Sequence, residues 1–357
     1  MTDDRKDEVV IHGLVCPLPL SHEETIVMGH GSGGRMTQRL IEQTFYPSFE
    51  NPALLRGDDS AVVESPAGGR FAVSTDAHIV SPLFFPGGDI GRLAICGTAN
   101  DLAMVGAQPL WMTASFIIEE GLPRFLLERV TQSMKEAAAE CELIVVGGDT
   151  KVAERGKADG LFITTSGVGW IPAHRNVSGA NARPGDAVLL SGTIGDHGIA
   201  VLAARGELAF QAEVESDVAP LNGMVEAMFT VSPSIHVLRD PTRGGVATTL
   251  NEIARQSGVA IILEETTIPV RPAVTAACEM LGFDPLYIAN EGKLLACVPA
   301  EDAQVVLAAM RKTKYGEDAC RIGVVADAPA GRVLMKTAIG GTRVIDVLAG
   351  EMLPRIC

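Results

Sequence analysis

Apolar positions along this chain recur at two periods that alternate from one segment to the next. Met36, Leu40, Ile41 and Phe45 fall on one helical face, and the helix they predict follows the glycine-rich GHGSGG. AVVE and RFAVSTDA read as short strands. GRLAICGTANDLAMVGA reads as a helix starting near Asp89, whose side chain can cap it. RFLLERVTQSMKEAAAEC aligns Phe125, Val130, Met134 and Cys141 as a further helix, and the strands LIVVGGDT and LFITTSGVGW follow. Turn formers then dominate IPAHRNVSGANARPGD, at about 172–186, and mark a boundary. Beyond it come strand AVLLSG, helix-like GIAVLAARG, helix GGVATTLNEIARQSG, strand VAIILEE, helix RPAVTAACEMLG, strand LLACV and helix EDAQVVLAAMRK. Short runs and irregular connections predict two α/β (α+β) domains, not one long doubly wound sheet. No short internal repeat is visible. The expected layout is an extension over 1–22, a first domain over 23–172, a second over 183–330, and a C-terminal segment with a mobile tail over 331–357.

Composition narrows the function. A chain of 357 residues with 47% hydrophobic and 20% charged residues can bury two cores. The net charge of -15 argues against nucleic acid as a partner, because a polyanion needs basic surface to displace its counterions. No apolar run approaches the 18 residues of a membrane span, and the acidic MTDDRKDEVV does not read as a signal peptide. The seven cysteines show neither CxxC nor CxxH spacing, so a disulfide framework or zinc site is not expected. Cys96, Cys141, Cys278 and Cys297 lie in apolar runs as core thiols, and a reducing cytoplasm fits.

Several short stretches carry candidate chemistry. Asp58 and Asp59, Ser74-Thr75-Asp76, and Gly148-Asp149-Thr150 each set a carboxylate beside small residues, while Asn100 and Asp101 interrupt an otherwise apolar helix. Singly these are turns, caps or a solvated helical acid. Together they suit hard-oxygen ligation of Mg²⁺ with phosphate oxygens. Gly31, Ser32, Gly33 and Gly34 before a helix form a natural anion cradle, although no Walker A sequence is present and a flexible linker would look similar. SGTIGDHG offers a phosphate loop or a tight strand-to-helix turn. DPTRGG supplies an acid and a cation before a helix, and by local sequence NEGK is a hairpin turn. His30, His197 and His236 are possible bases that ordinary hydrogen-bonded or surface histidines would equally explain. The terminal Cys357, on a segment too small to pack much, is an exposed thiol either by accident or for use.

The ordered set GHGSGG, RGDDSAVV, STDAHIVSPLFFPGGDIGRLAICGTANDLAMVGA, GGDTKV, SGTIGDHG, RDPTRGG, ANEGKL and PRIC resembles the HypE family of hydrogenase maturation factors. These are carbamoyl dehydratases of the PurM-like ATP-binding superfamily. The resemblance spans about residues 25–357; GTAND and GGDT are shared widely in the superfamily, whereas FFPGGDIGRLAICGTAND, GGDTKV and PRIC are more particular. It implies a PurM-like fold with an N-terminal α/β domain that dimerises, a C-terminal α+β domain, and a homodimer with ATP in the cleft near its interface. By resemblance, Asp58, Asp76, Asn100, Asp101 and Asp149 hold magnesium and phosphates, and the 30–34 loop, with Thr75, Gly148 and Thr150, completes the nucleotide site.

The implied activity explains the tail. A HypF-type carbamoyltransferase loads the terminal thiol, ATP drives dehydration of the carbamoyl group to a thiocyanate, and cyanide passes to iron on a HypC–HypD-type complex. Glu291 is the expected base and Lys151 the second functional group. The α-carboxylate is expected to raise the thiol pKa, and Arg355 to offset it in part. Other PurM-like enzymes are the alternatives: aminoimidazole ribonucleotide synthetase, selenophosphate synthetase or thiamine-phosphate kinase. Against the second of these, His30 and Ser32 stand where its Cys or selenocysteine would lie.

Overall fold

The computed structural model describes residues 34–40, 42, 54–59, 61–64, 68–206, 213–348, 353 and 355–357. The extension 1–22 and the loop residues His30, Gly31, Ser32 and Gly33 lie outside the described residues. Strands β1 (Ala61–Glu64), β2 (Arg70–His78), β3 (Phe84–Phe85), β4 (Gly88–Asp89), β5 (Gln108–Glu119), β6 (Ile144–Ala153) and β7 (Leu161–Ile171) belong to the first half. Apart from the small β3–β4 ladder they form one sheet in the order β1-β2-β7-β5-β6, with β5 and β6 parallel and the other pairs antiparallel. Alternate residues of β7 (Leu161, Ile163, Thr165, Gly167, Gly169, Ile171) are buried, as a strand with one covered face requires. The cover is the Ile90–Met104 helix, backed by the Arg124–Glu140 helix.

Asp89 caps the first of these helices, accepting hydrogen bonds from the Gly91 and Arg92 N–H groups at 2.7 and 3.2 Å, as the sequence predicts. The opposite face of the sheet is open, and edge strand β6 is exposed along nearly its whole length, with Val152 68% exposed. Strand β5 was not among the elements expected from the sequence. Pro109 interrupts its pattern, and the pairing with β7 shifts register between Pro109 and Trp111.

The second sheet contains β8 (Ala187–Leu190), β9 (Val237–Arg239), β10 (Ala260–Glu264), β11 (Leu295–Val298), β12 (Cys320–Ala326), β13 (Arg332–Lys336) and β14 (Thr342–Ile345), in the order β14-β13-β10-β12-β8-β11-β9. It is covered on both sides. The Gly245–Ser257 helix packs Val246, Leu250 and Ile253 with Val188, Ile261 and Leu295; Met224, Met228, Val306 and Met310, from the helices Asn222–Val231 and Ala303–Met310, pack with Leu189 and Val298. Burial on both faces explains why AVLL and LACV are continuous apolar runs. The sheet runs to Ile345, past the expected end at 330, because β13 pairs in parallel with β10 and carries β14 beside it. Chain segment 172–186 joins the two sheets.

A shared core links the two layers. Leu353 and Ile356, 9% and 5% exposed, pack in the same cluster as Leu93 and Ile95 of the first half and Ile199, Val201 and Ile288 of the second. Burying such a side chain contributes about 1.5–3 kcal/mol. The tail end is therefore part of the core.

Candidate functional site

Four elements from both halves meet at a cavity of about 50 Å³ lined by Asp76, Gly97, Asp101, Asp240, Arg243, Glu291 and Cys357 among others. Asp76 lies on β2, Asp101 on the Ile90–Met104 helix, Asp240 just past β9, and Glu291 in the turn before β11. One oxygen each from Asp59, Asp101 and Asp240 lies within 4.8 Å of the others. Burial raises all three carboxyl pKa values, with neighbouring aspartates adding to the rise at Asp101 and Asp240; Asp59 is pushed up to about 6 against the attraction of Arg239. Arg239 places Asp59 across the domain boundary: its Nη1 lies 2.9 Å from Asp59 Oδ2, and its Nη2 donates to Glu252 at 2.7 Å. The Ser74 hydroxyl donates to Asp101 at 2.6 Å.

Magnesium fits this donor set. Three converging carboxylates in a desolvated pocket are hard-oxygen ligands, and of the three Asp59 is the one ion-paired with a guanidinium among the described residues.

The residues named from the sequence divide. Asp76 and Asp101 reach the cavity. Asp58 does not join the cluster, because its Oδ1 accepts from Ser178 Oγ and the Gly179 N–H at 2.9 and 3.0 Å and its Oδ2 pairs with Arg56 at 3.2 Å. The neighbouring Asp59 is there instead. Asn100 spends its amide on the interdomain backbone, donating to Ala219 at 3.0 Å and accepting from the Leu221 N–H at 2.8 Å. Thr75 points to the opposite face of β2 from Asp76, where its hydroxyl meets Thr165 O and Ser166 Oγ. Gly34 is buried at the start of the Arg35–Leu40 helix.

Gly148, Asp149, Thr150 and Lys151 lie on β6, three strands from β2 and thus about 14 Å away at sheet spacing. Asp149 and Lys151 pair with each other at 3.1 Å, both exposed. Register places Asp149 in line with Ala77, through Ser115 and Thr164, on the open edge.

Cys357 occupies the cavity. It lines the cavity together with Glu291, and burial, opposed by Arg243, pushes the thiol pKa up to about 12. Arg355 pairs with Asp159 instead, so the cation beside the thiol is Arg243, not the expected Arg355. Glu291 is 5% exposed; burial and repulsion from Asp240, Asp217 and Asp76 hold its carboxyl well above the usual range. Its N–H donates to Asp217 Oδ1 at 3.0 Å, while its own Oε1 is buried without a hydrogen-bond partner. The tail is held by its backbone: the Ile79 N–H donates to Cys357 O at 2.9 Å, the Ser81 N–H to Arg355 O at 3.2 Å, and His197 Nε2 to Ile356 O at 2.6 Å. His236 pairs with Asp186 at 2.8 Å, away from the cavity.

Asp59, Asp240 and Arg243 are the functional candidates that sequence reasoning did not assign. Their signals were present in RGDD and DPTRGG, but choosing between adjacent acids requires the fold.

Residues 57–171 match the family described as AIR synthase related protein, N-terminal domain, and 183–336 its C-terminal domain. A relative from Cupriavidus necator named carbamoyl dehydratase HypE is 56% identical over 332 residues, 93% of this chain and 95% of its own. A crystal structure of a HypE–HypF complex is 49% identical with TM-score 0.82, covering 87% of this chain and 99% of that one. A structure of HypE in complex with ATP is 50% identical with TM-score 0.78, covering 93% and 100%.

Proposed function

The chain belongs to the carbamoyl dehydratase HypE family and is such an enzyme, and on that premise we propose how its residues carry the reaction. The single observation that carries the reading is that Cys357 and the buried Glu291 line one cavity beside a cluster of three aspartates. A HypF-type carbamoyltransferase loads Cys357, as the HypE–HypF complex of a relative supports. The thiocarbamate oxygen then displaces ADP from the γ-phosphate of ATP, so that a C–O–P bond forms as the bond to the leaving ADP oxygen breaks. Arg243 lies where it can balance anionic charge near the sulfur. The phosphorylated imidate gives up two N–H protons, one to Glu291 and one to the departing phosphate, as the C–O bond breaks and Cys357–S–C≡N remains.

Asp59, Asp101 and Asp240, with Asp76 adjacent, would hold magnesium, which when bound neutralises phosphoryl charge and part of the acidic cluster. Glu291, on the cavity wall beside Cys357, is the group placed to take up a nitrogen proton. Cyanide then passes to iron on a HypC–HypD-type complex. A cytoplasmic setting suits a carrier thiol that must stay reduced, and no helix among the described residues is long and apolar enough to cross a membrane.

A homodimer accounts for the open sheet. Ile144 and Val146 on β6 and Trp111 and Ile117 on β5 are 45–63% exposed, an apolar surface typical of an interface. Pairing there would bring Asp149 and Lys151 of one protomer to the partner's nucleotide. The test of the whole reading is mass spectrometry of the C-terminal peptide after a carbamoyl donor system, before and after Mg·ATP. The loaded peptide loses the mass of one water; a Cys357→Ala protein that still accepts the carboxamide stoichiometrically would overturn it.

A further inference from the structure

The SGTIGDHG segment, open in sequence to a phosphate-loop reading, touches the residues that precede both reacting groups. Gly195, with φ of 82°, turns the chain into the Asp196–Ala204 helix, and its N–H donates to Asn290 Oδ1 at 2.8 Å. The Gly198 N–H donates to Ala289 O at 3.2 Å, so the two residues before Glu291 are clamped to this helix. A Cβ at Gly198 would come within 2.5 Å of Ile288 Cγ2 and 3.2 Å of Leu353 Cδ1, so only glycine lets both segments approach.

The same helix turn grips the tail. His197 is fully buried, and burial lowers its pKa, so the ring is neutral. The carbonyl of Ile356 can only accept, so Nε2 carries the proton and donates at 2.6 Å. Nδ1 must then accept, and Ser216 Oγ, 2.8 Å away, supplies the hydrogen while accepting from the Val218 N–H at 3.1 Å. Phe85 stands edge-on to the imidazole with centroids 5.5 Å apart. On the helix's last side, Arg205 donates to Ser81 O at 2.7 Å and to Arg355 O.

We propose that this turn and helix form a two-sided jig, with His197 the positioning residue that sets the sulfur of Cys357 against Glu291. One face fixes the segment bearing the base and the other fixes the backbone of the residue before the carrier thiol. The inference rests on the reaction assigned to Cys357, but tail seating can be read without that reaction. Ser216 acts one step further out, by holding the imidazole in the tautomer that donates.

The experiment compares wild-type, His197→Ala, His197→Gln and Ser216→Ala full-length proteins. Iodoacetamide labelling of Cys357 at neutral pH, quantified on the C-terminal peptide, reports seating in the unloaded protein. Labelling should accelerate roughly tenfold in His197→Ala, as expected for loss of one buried hydrogen bond, and less in Ser216→Ala. His197→Gln, which keeps a donor, should recover part of the protection. In loaded protein, kcat for water loss should fall by about 10²-fold in His197→Ala, the effect of misplacing a reacting group, while carbamoylation and the KM for ATP hold. Wild-type labelling rates in both alanine variants would overturn the inference whatever their turnover. Faster labelling with unchanged kcat would overturn the positioning role. Failure of wild-type protein to lose water would instead defeat the assigned reaction, leaving the labelling result readable by itself.

Discussion

Cys357 and Glu291 line one buried cavity, where burial and the surrounding aspartates hold the Glu291 carboxyl pKa well above the usual range. Burial disfavours the charged form of both groups, as suits the unloaded protein.

Glu291→Gln keeps the size and a hydrogen-bonding group but cannot accept the N–H proton. Carbamoylation and ATP binding should persist, and water loss should fall by about 10²–10⁴-fold. Near-wild-type turnover, followed as mass loss in the C-terminal peptide, would remove Glu291 as the base.

Arg243 faces Cys357, Glu291, Asp76 and Asp101. Arg243→Met should lower dehydration by about 10²–10³-fold, the usual effect of deleting one group that stabilises developing charge. Single-turnover kinetics on loaded protein separates this from any loading defect.

Two neighbouring acids have opposite fates. Asp59→Asn should raise the magnesium concentration needed for half-maximal turnover, and EDTA should abolish turnover in the wild type. Asp58→Asn should leave the metal requirement unchanged but cost about 1–3 kcal/mol of stability, through the Ser178, Gly179 and Arg56 contacts. Magnesium titration and thermal melts distinguish the two.

If β6 completes the partner's site, Lys151→Ala and Glu291→Gln should complement each other. Each alone should be nearly inactive, and mixed, re-equilibrated protomers should regain up to about a quarter of wild-type activity per site, since only sites drawing both intact residues work. No recovery, with dimers seen by ultracentrifugation, would place Lys151 outside the partner's chemistry.

The thiol gives a pH dependence of known sign. Its pKa rises from 9.0 to about 12 on seating. Seating is therefore fully favourable below about 9 and weakens as pH climbs from 9 towards 12. Alkylation of Cys357, relative to a free peptide ending PRIC, should be strongly suppressed at neutral pH and lose that suppression above 9.

Much of the frame was legible because periodicity and caps act locally. Asp89 reads as a cap from its neighbours alone, and the β8 and β11 runs announce burial on both faces. Strand β5 was hidden by Pro109 and a register shift, and β12–β14 carried little pattern. At the site, the acids near Asp76 and Asp101 stood out because they interrupt apolar sequence. The choice of Asp59 over Asp58 depends on Arg239 reaching across from another domain, a contact between residues 180 positions apart. Asn100 looked like a ligand for the same reason as Asp101, yet one helical position turns its amide to the backbone of 219–221.

The main-chain oxygen of Cys357 accepts the Ile79 N–H, and the preceding contacts likewise use main-chain oxygens. Such recognition measures length and tolerates changes of side chain. A purification tag fused after Cys357 would hang a polymer from a closed chamber. Protein made that way could be folded, pure and inert, which makes the amino end the place for any handle.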